Sequence, residues 1–260
     1  CPRPGAGTTH TRHRYNAHGG APKLAVVAEP TLALEREMFT SGARLIIGMD
    51  EVGRGALAGP VAVGVCAITT PADFPQGLRD SKLLSAKRRV ALDPLVRSWG
   101  ACAVGDASAQ EIDELGITRC LGLAGHRALV ALHELGVPVG EAVVLLDSKH
   151  DWLTPVLNSP LTVVTRIKAD QDCGVVAGAS VVAKVWRDDL MVSLSEQHPE
   201  FGWEGNKGYG AATHMAAIAT HGATAWHRRS WLHSHADVAV DSASGFDSAD
   251  IALPDMRNAT

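Results

Sequence analysis

The sequence predicts an α/β protein built on a mixed five-stranded sheet with helices packed against it. Three observations predict it: apolar runs of strand length near the start, strand-like runs alternating with helix-period segments later, and capping signals at the joins. The 260 residues, 46% hydrophobic and 20% charged, suit one globular domain with a full core. No repeat of roughly 20 to 50 residues divides them.

In chain order, Thr31 to Phe39 has helical spacing, and Arg44 to Asp50 is an apolar run ending in the Gly-rich turn Glu51-Val52-Gly53-Arg54-Gly55. After Gly59-Pro60, Val61 to Ile68 alternates Val with small residues and forms a second strand. Ser85 caps a basic helix reaching Ser98, and Ala101 to Val104 is the third strand. Ser108 and Glu111 have the spacing of a capping box, so a helix starts there. The period of Leu121, Ala124, Ala128, Leu129 and Leu132 carries it to Leu135, where Gly136 closes it. Ala142 to Leu146 and Leu161 to Ile167 are the fourth and fifth strands, Val175 to Ser195 is the last long helix, and Ala211 to Thr220 a shorter one. Residues 1–30 and 236–260 lack a sustained period and are expected to be flexible tails around a folded body at 31–235.

The net charge of −4 argues at first against a polyanionic partner, but residues 236–260 hold five Asp against one Arg and carry all of it. A neutral body with local basic clusters can still hold a phosphate backbone. The apolar runs are broken within about 10 residues, short of the roughly 20 that span a bilayer. Five widely spaced cysteines without a C-x-x-C pair suggest neither a disulfide framework nor a thiolate zinc site. No basic-then-apolar leader is present, and a reducing cytoplasm is the expected setting. Neither G-x-x-x-x-G-K-[ST] nor G-x-G-x-x-G occurs, which removes the common kinase and dehydrogenase readings.

Asp50, Asp147 and Asp170 each stand at or just beyond the end of a predicted strand, on the sheet edge where ligands bind in open α/β folds. Hard divalent cations prefer carboxylate oxygen, and two such ions can clamp a phosphodiester, so three acids on one edge form a candidate metal site. Any one Asp taken alone is more simply a turn residue. Asp50-Glu51 is harder to dismiss, because adjacent acids after an apolar strand repel unless a cation offsets them. Neighbours on a regular strand face opposite ways, so for both to reach one site the pleat has to break there, as Gly53 and Gly55 would permit.

Gly48-Met49-Asp50-Glu51-Val52-Gly53-Arg54-Gly55, followed by Leu57-Ala58-Gly59-Pro60, resembles the opening motif of the ribonuclease HII (type 2 ribonuclease H) family. Asp80-Ser81-Lys82-Leu83-Leu84-Ser85, then Glu111-Ile112-Asp113-Glu114-Leu115-Gly116-Ile117, resemble its next segments. So do Lys168-Ala169-Asp170 with Ala179-Ser180-Val181-Val182-Ala183-Lys184-Val185, then Lys207-Gly208-Tyr209 and His227-Arg228-Arg229-Ser230. The resemblance spans about residues 43–233. It implies a ribonuclease H-like fold with a helical C-terminal extension, dependence on Mg²⁺ or Mn²⁺, and two-metal cleavage of the RNA strand in RNA·DNA hybrids. It also implies cutting 5′ of single ribonucleotides in duplex DNA, leaving 3′-hydroxyl and 5′-phosphate ends. Separately, a monomer with no membrane partner is expected.

On that resemblance Asp50, Glu51, Asp147 and Asp170 are the metal carboxylates, and Gly53, Arg54, Gly55 and Tyr209 read the ribose. Lys82, Ser180 and Lys184 fall in matched blocks as substrate contacts, and Lys207, Arg228 and Arg229 are further phosphate candidates. One departure stands out: the family continues its third acid as D-G, whereas Asp147 is followed by Ser148. Asp151 is therefore the alternative ligand, and Asp172 a weaker competitor to Asp170. The six Trp are expected to pack in the core or rim and the 12 His to lie mostly at the surface. Two other readings compete: another nuclease of the same fold, such as a junction resolvase or integrase, and a hybrid-binding module without catalysis.

Overall fold

The computed structural model describes residues 29–72 and 74–232. The expected tails lie outside the described residues except for Glu29 and Pro30, of which Glu29 pairs with Arg79. Helix α1 (Ala33–Thr40) leads into β1 (Ile46–Val52) and β2 (Val61–Ile68), then α2 (Ala86–Trp99), β3 (Ala101–Ala107), α3 (Ala109–Leu115) and α4 (Ile117–Glu134). There follow β4 (Val143–Asp147), β5 (Thr162–Arg166), α5 (Ala169–Asp172), α6 (Gly174–Gln197), α7 (Trp203–Asn206), α8 (Ala212–His221) and α9 (Arg229–Leu232).

The strands form one mixed sheet in the order β3-β2-β1-β4-β5. β1, β2 and β3 pair antiparallel, while β4 and β5 join β1 in parallel, as expected of strands in series followed by strands alternating with helices. Alternation along β1 splits the core. Ile47 and Met49 pack with Leu121, Ala124 and Leu132 of α4 on one face, and Ile46 packs with Val175 and Val176 of α6 on the other. Gly48 and Gly64 let α6 lie close, because a β-carbon on either would overlap the backbone at Val175 or Ala179. Val175, Val176, Val181 and Val182 are fully buried, and each stabilises by about 1.5–3 kcal/mol relative to exposure. That burial fixes the helix that runs beneath the strand ends.

The Ser85 and Ser108 caps form as expected. Ser85 Oγ accepts from the Arg88 N–H at 3.3 Å, and both halves of the Ser108–Glu111 box are made. The helix expected to run unbroken to Leu135 instead divides at Gly116, whose φ of 77° ends α3 and starts α4. β3 continues past Val104 to Ala107 because its pairing with β2 is unbroken to Val61. α5, α7 and α9 are four residues each, too short for periodicity to reveal.

Beyond α6 the chain forms a helical extension with its own core of Ala58, Met191, Leu194, Phe201, Trp203 and Ala217. His214 and His227 lie inside it and His126 is also buried, while the other described histidines, His133, His150, His198 and His221, are half-buried or exposed. The hydrogen bonds fix the protons of the pair. His214 Nδ1–H donates to the Tyr209 carbonyl at 2.9 Å, which leaves Nε2 to accept from Trp203 Nε1–H at 3.0 Å and from His227 Nε2–H at 3.2 Å. His227 Nδ1 accepts from the Thr224 N–H. Both rings are neutral, and burial pulls both pKa values down, His227 to about 4.

Candidate active site

The parallel pairing of β1 with β4 stops at Met49–Leu146, so Asp50 and Asp147 are the next residues on adjacent strands. Asp170 comes from α5, just past β5. Lys168, held at φ 60°, turns the chain so that the Ala169 N–H reaches Asp147 Oδ1 at 3.0 Å. Oxygens of Asp50, Asp147 and Asp170 lie within 4.8 Å of one another. Lys82 closes one side, with Nζ 3.3 Å from Asp170 Oδ2. Its approach is set by the Asp80-Ser81-Lys82 turn, in which Asp80 accepts from the Lys82 N–H and Ser81 Oγ meets Ser180 Oγ at 2.8 Å.

Three carboxylates facing one ammonium leave a buried corner two charges short of neutrality. Burial and then Glu51 raise the Asp50 carboxyl well above its ordinary value, burial raises Asp147, and burial followed by Asp147 and Asp80 pushes Asp170 up to about 6. Burial alone would lower the Lys82 ammonium, but Asp50, Asp170 and Asp80 together raise it. Clustered carboxylate oxygens kept from ionising by burial and by one another fit a hard divalent cation, whose charge offsets both.

Several expected residues sit differently. The pleat does not break at Asp50-Glu51: β1 stays in register through Glu51–Val63 and turns only at Gly53, with φ 79°. Glu51 therefore stays outside the triad, 3.7 Å from Arg54, although Asp147 still contributes to raising its burial-shifted carboxyl. Asp147, not Asp151, joins the cluster. Asp151 caps the turn at Thr154–Val156 by accepting from the Leu153 and Thr154 N–H groups, and Asp172 pairs with Arg166. The D-S departure is accommodated because Ser148 keeps a negative φ and needs no glycine.

Ser180 is buried against Ser81 and Asp50, so it supports a carboxylate instead of meeting solvent. Lys184 pairs with Asp188 at 2.6 Å. Arg228, expected as a phosphate contact, is fully buried under the Gly-Arg-Gly turn, while Arg229 is exposed. Tyr209 is 38% exposed and Arg54 is exposed, both on the side of the turn. Sequence reasoning missed Arg187 altogether, although its spacing from Ser180 and Lys184 places all three on one face of α6.

Carboxylate donors at the carboxyl edge of a mixed sheet, beside a Gly-rich turn, define a metal-dependent nuclease. The family profile of ribonuclease HII matches residues 47–234. A ribonuclease HII of Streptomyces avermitilis is 50% identical over 78% of this chain and 84% of its own, and one of Paracoccus denitrificans is 43% identical over 79% and 93%. Among solved structures, ribonuclease H2 from Pyrococcus horikoshii OT3 superposes with a TM-score of 0.57 at 24% identity, covering 74% of this chain and 95% of its own. Bst-RNase HIII in complex with Mn²⁺ gives 0.57 at 24% identity over 70% and 64%. The chain belongs to the ribonuclease HII family, which removes the resolvase and non-catalytic readings. Among the described residues, no helix is long and apolar enough to cross a membrane.

Proposed function

We propose that the chain hydrolyses the RNA strand of RNA·DNA hybrids and cuts on the 5′ side of single ribonucleotides in duplex DNA, giving 3′-hydroxyl and 5′-phosphate ends. The observation that carries this is the convergence of Asp50, Asp147 and Asp170 at the end of the strand that turns at Gly53 into an exposed Arg54. Asp50, Asp147 and Asp170 hold Mg²⁺ or Mn²⁺, with Glu51 joining at the rim for two-metal catalysis. Bound there, the ions supply Lewis acidity toward the phosphodiester and toward water. Lys82, fixed on Asp170, presents its exposed stem and charge to the same phosphate edge.

The ribose is read by the loops. Its 2′-hydroxyl donates and accepts hydrogen bonds, and it is the group that separates RNA from DNA. Gly53 and Gly55 let backbone groups approach it, Arg54 holds the adjacent phosphate, and Tyr209 packs on the sugar. Ser180 and Lys184 contribute from behind, through Asp50 and through Asp188.

End-labelled duplexes carrying all RNA, one ribonucleotide or none in one strand, incubated with Mg²⁺, Mn²⁺ or chelator, test this reading. Cleavage of the first two, with the label mapping 5′ of the ribonucleotide and no product in chelator, is the expected result. Efficient cutting of the all-DNA duplex would overturn ribose selectivity, and cutting in chelator would overturn the metal assignment.

A further inference from the structure

Arg187 and Arg228 are fully buried, and neither has a carboxylate within ion-pair distance among the described residues. Their partners are backbone carbonyls. Arg187 donates to the oxygens of Pro60 at 2.9 Å, Ala58 at 3.0 Å and Lys207 at 2.9 Å. Arg228 donates to Gly53 at 2.7 Å, Arg54 at 2.8 Å and Gly59 at 3.1 Å. Main-chain bonds tie the same segments: the Leu57 and Ala58 N–H groups donate to the Gly208 oxygen at 2.8 and 3.1 Å, and the Arg228 N–H donates to Leu57. The Arg187 guanidinium also lies 5.7 Å from the centre of the Tyr209 ring. Gly53 leaves the space it occupies, since a β-carbon there would overlap Arg187 Nε.

Carbonyl dipoles satisfy the donors of a guanidinium but do not cancel its charge, and a buried cation without an anion is costly. Here two stand close enough to repel: burial, and for Arg228 also Arg187, pulls their pKa values down, and Asp188 on Arg187 and Asp113 on Arg228, beyond ion-pair distance, offset only part of this. Volume alone could be filled by an apolar side chain. The positive charge sits directly behind Tyr209 and the Gly53–Gly55 turn, on whose outer side an anion can approach.

We propose that Arg187 and Arg228 are positioning residues for ribose selection: they lock the Gly53–Gly55 turn and the Lys207–Tyr209 loop into one unit, and the phosphodiester beside the selected ribose is the anion their charge lacks. This rests on the reading of Gly53, Arg54, Gly55 and Tyr209 given above. It makes both arginines part of specificity, although neither touches substrate.

Arg187→Lys keeps the charge and loses the fork, whereas Arg187→Met keeps neither, so the pair separates positioning from charge. Each variant, Tyr209→Ala and the Arg187→Lys/Tyr209→Ala double variant are assayed with Mn²⁺ on a duplex holding one ribonucleotide and on continuous hybrid. Duplex affinity is measured in chelator, and folding is followed by thermal melting. Arg187→Lys is expected to lose about tenfold more kcat/KM on the single ribonucleotide than on the hybrid, with no further loss of that ratio in the double variant. Arg187→Met is expected to show the same change of ratio and in addition a severalfold weaker duplex affinity than Arg187→Lys. Equal losses on the two substrates, or losses that add in the double variant, overturn the positioning role. Equal affinity of the Lys and Met variants overturns the role of the charge. An unchanged ratio in Tyr209→Ala instead strikes the reading of Tyr209, and the Arg187→Lys ratio still decides the role of the arginines. If either Arg187 variant does not fold, Arg228→Lys and Arg228→Met carry the same expectations.

Discussion

The carboxylate corner and the arginine brace both gather buried groups of like charge, but they are finished to different degrees. In the brace every guanidinium finds several carbonyl oxygens, so its geometry is set before substrate arrives. In the corner Asp50 and Asp147 accept backbone N–H groups of Glu51 and Ala169, but the three carboxylates crowd one another and Lys82, on Asp170, is the cation within ion-pair distance among the described residues. The difference divides the labour. On the proposed reading, recognition is organised by hydrogen bonds within the fold, and catalysis waits on an added cation.

The largest expected effect breaks the corner. Asp50→Asn or Asp170→Asn is expected to lower cleavage on the order of a thousandfold or more while hybrid affinity holds or improves, because a negative charge facing phosphate is removed. Single-turnover rates and filter binding at saturating Mn²⁺ check both. Asp147→Asn is expected to lose activity on a similar scale. Asp151→Ala, which removes only a turn cap, is expected to keep turnover and to lose about 1 kcal/mol of stability.

Smaller effects sharpen the brace. Tyr209→Ala is expected to reduce cutting at one embedded ribonucleotide about tenfold more than cutting of continuous hybrid, where many sites compensate. Competition between the two substrates in one tube gives the ratio directly. Equal losses would remove Tyr209 from recognition.

Acid separates the two ends of the molecule by sign. The Asp170 carboxyl, raised to about 6 by burial, Asp147 and Asp80, binds its proton more tightly folded than unfolded. Without metal its contribution therefore falls as pH rises from about 4 to about 6. His227, lowered to about 4 by burial and by His214, does the reverse: its contribution is lost as pH falls from about 6.5 toward 4. In chelator, Asp170→Asn should steepen the loss of melting temperature on acidification, and His227→Gln should flatten it. No change of slope in either variant would contradict the assignments. Metal affinity, measured by calorimetry, is expected to weaken as pH drops below about 6, since the ion must displace the Asp170 proton.

Much of this was legible in the sequence because it is local. The Ser85 cap, the Ser108–Glu111 box and the apolar alternation of β2 are written within a few residues, and all formed where expected. The three Asp could be placed on one edge because each follows an apolar strand run. What failed was long-range or geometric. Arg228 reaches Gly53 across 175 positions and Arg187 reaches Pro60 across 127, and no local pattern distinguishes such buried arginines from solvated ones. The pleat break that Gly53 and Gly55 would permit beside Asp50-Glu51 does not occur, since pairing with β2 holds β1 in register and leaves Glu51 beside Arg54. The Gly116 break fell inside a continuous apolar period, where only a positive φ reveals it.

The claim that the carboxylate corner is electrostatically unfinished is tested most directly by melting temperatures at pH 7.5, with chelator and with Mn²⁺, for the wild type and Asp170→Asn. Relief of carboxylate repulsion is expected to stabilise metal-free Asp170→Asn by about 1–2 kcal/mol, roughly 2–6 °C, against a raised Asp170 pKa in the wild type. Mn²⁺ is expected to raise the wild type well above its chelated value and to leave Asp170→Asn nearly unmoved. A metal-free variant that melts below the wild type, or one that Mn²⁺ stabilises as strongly, would contradict the account.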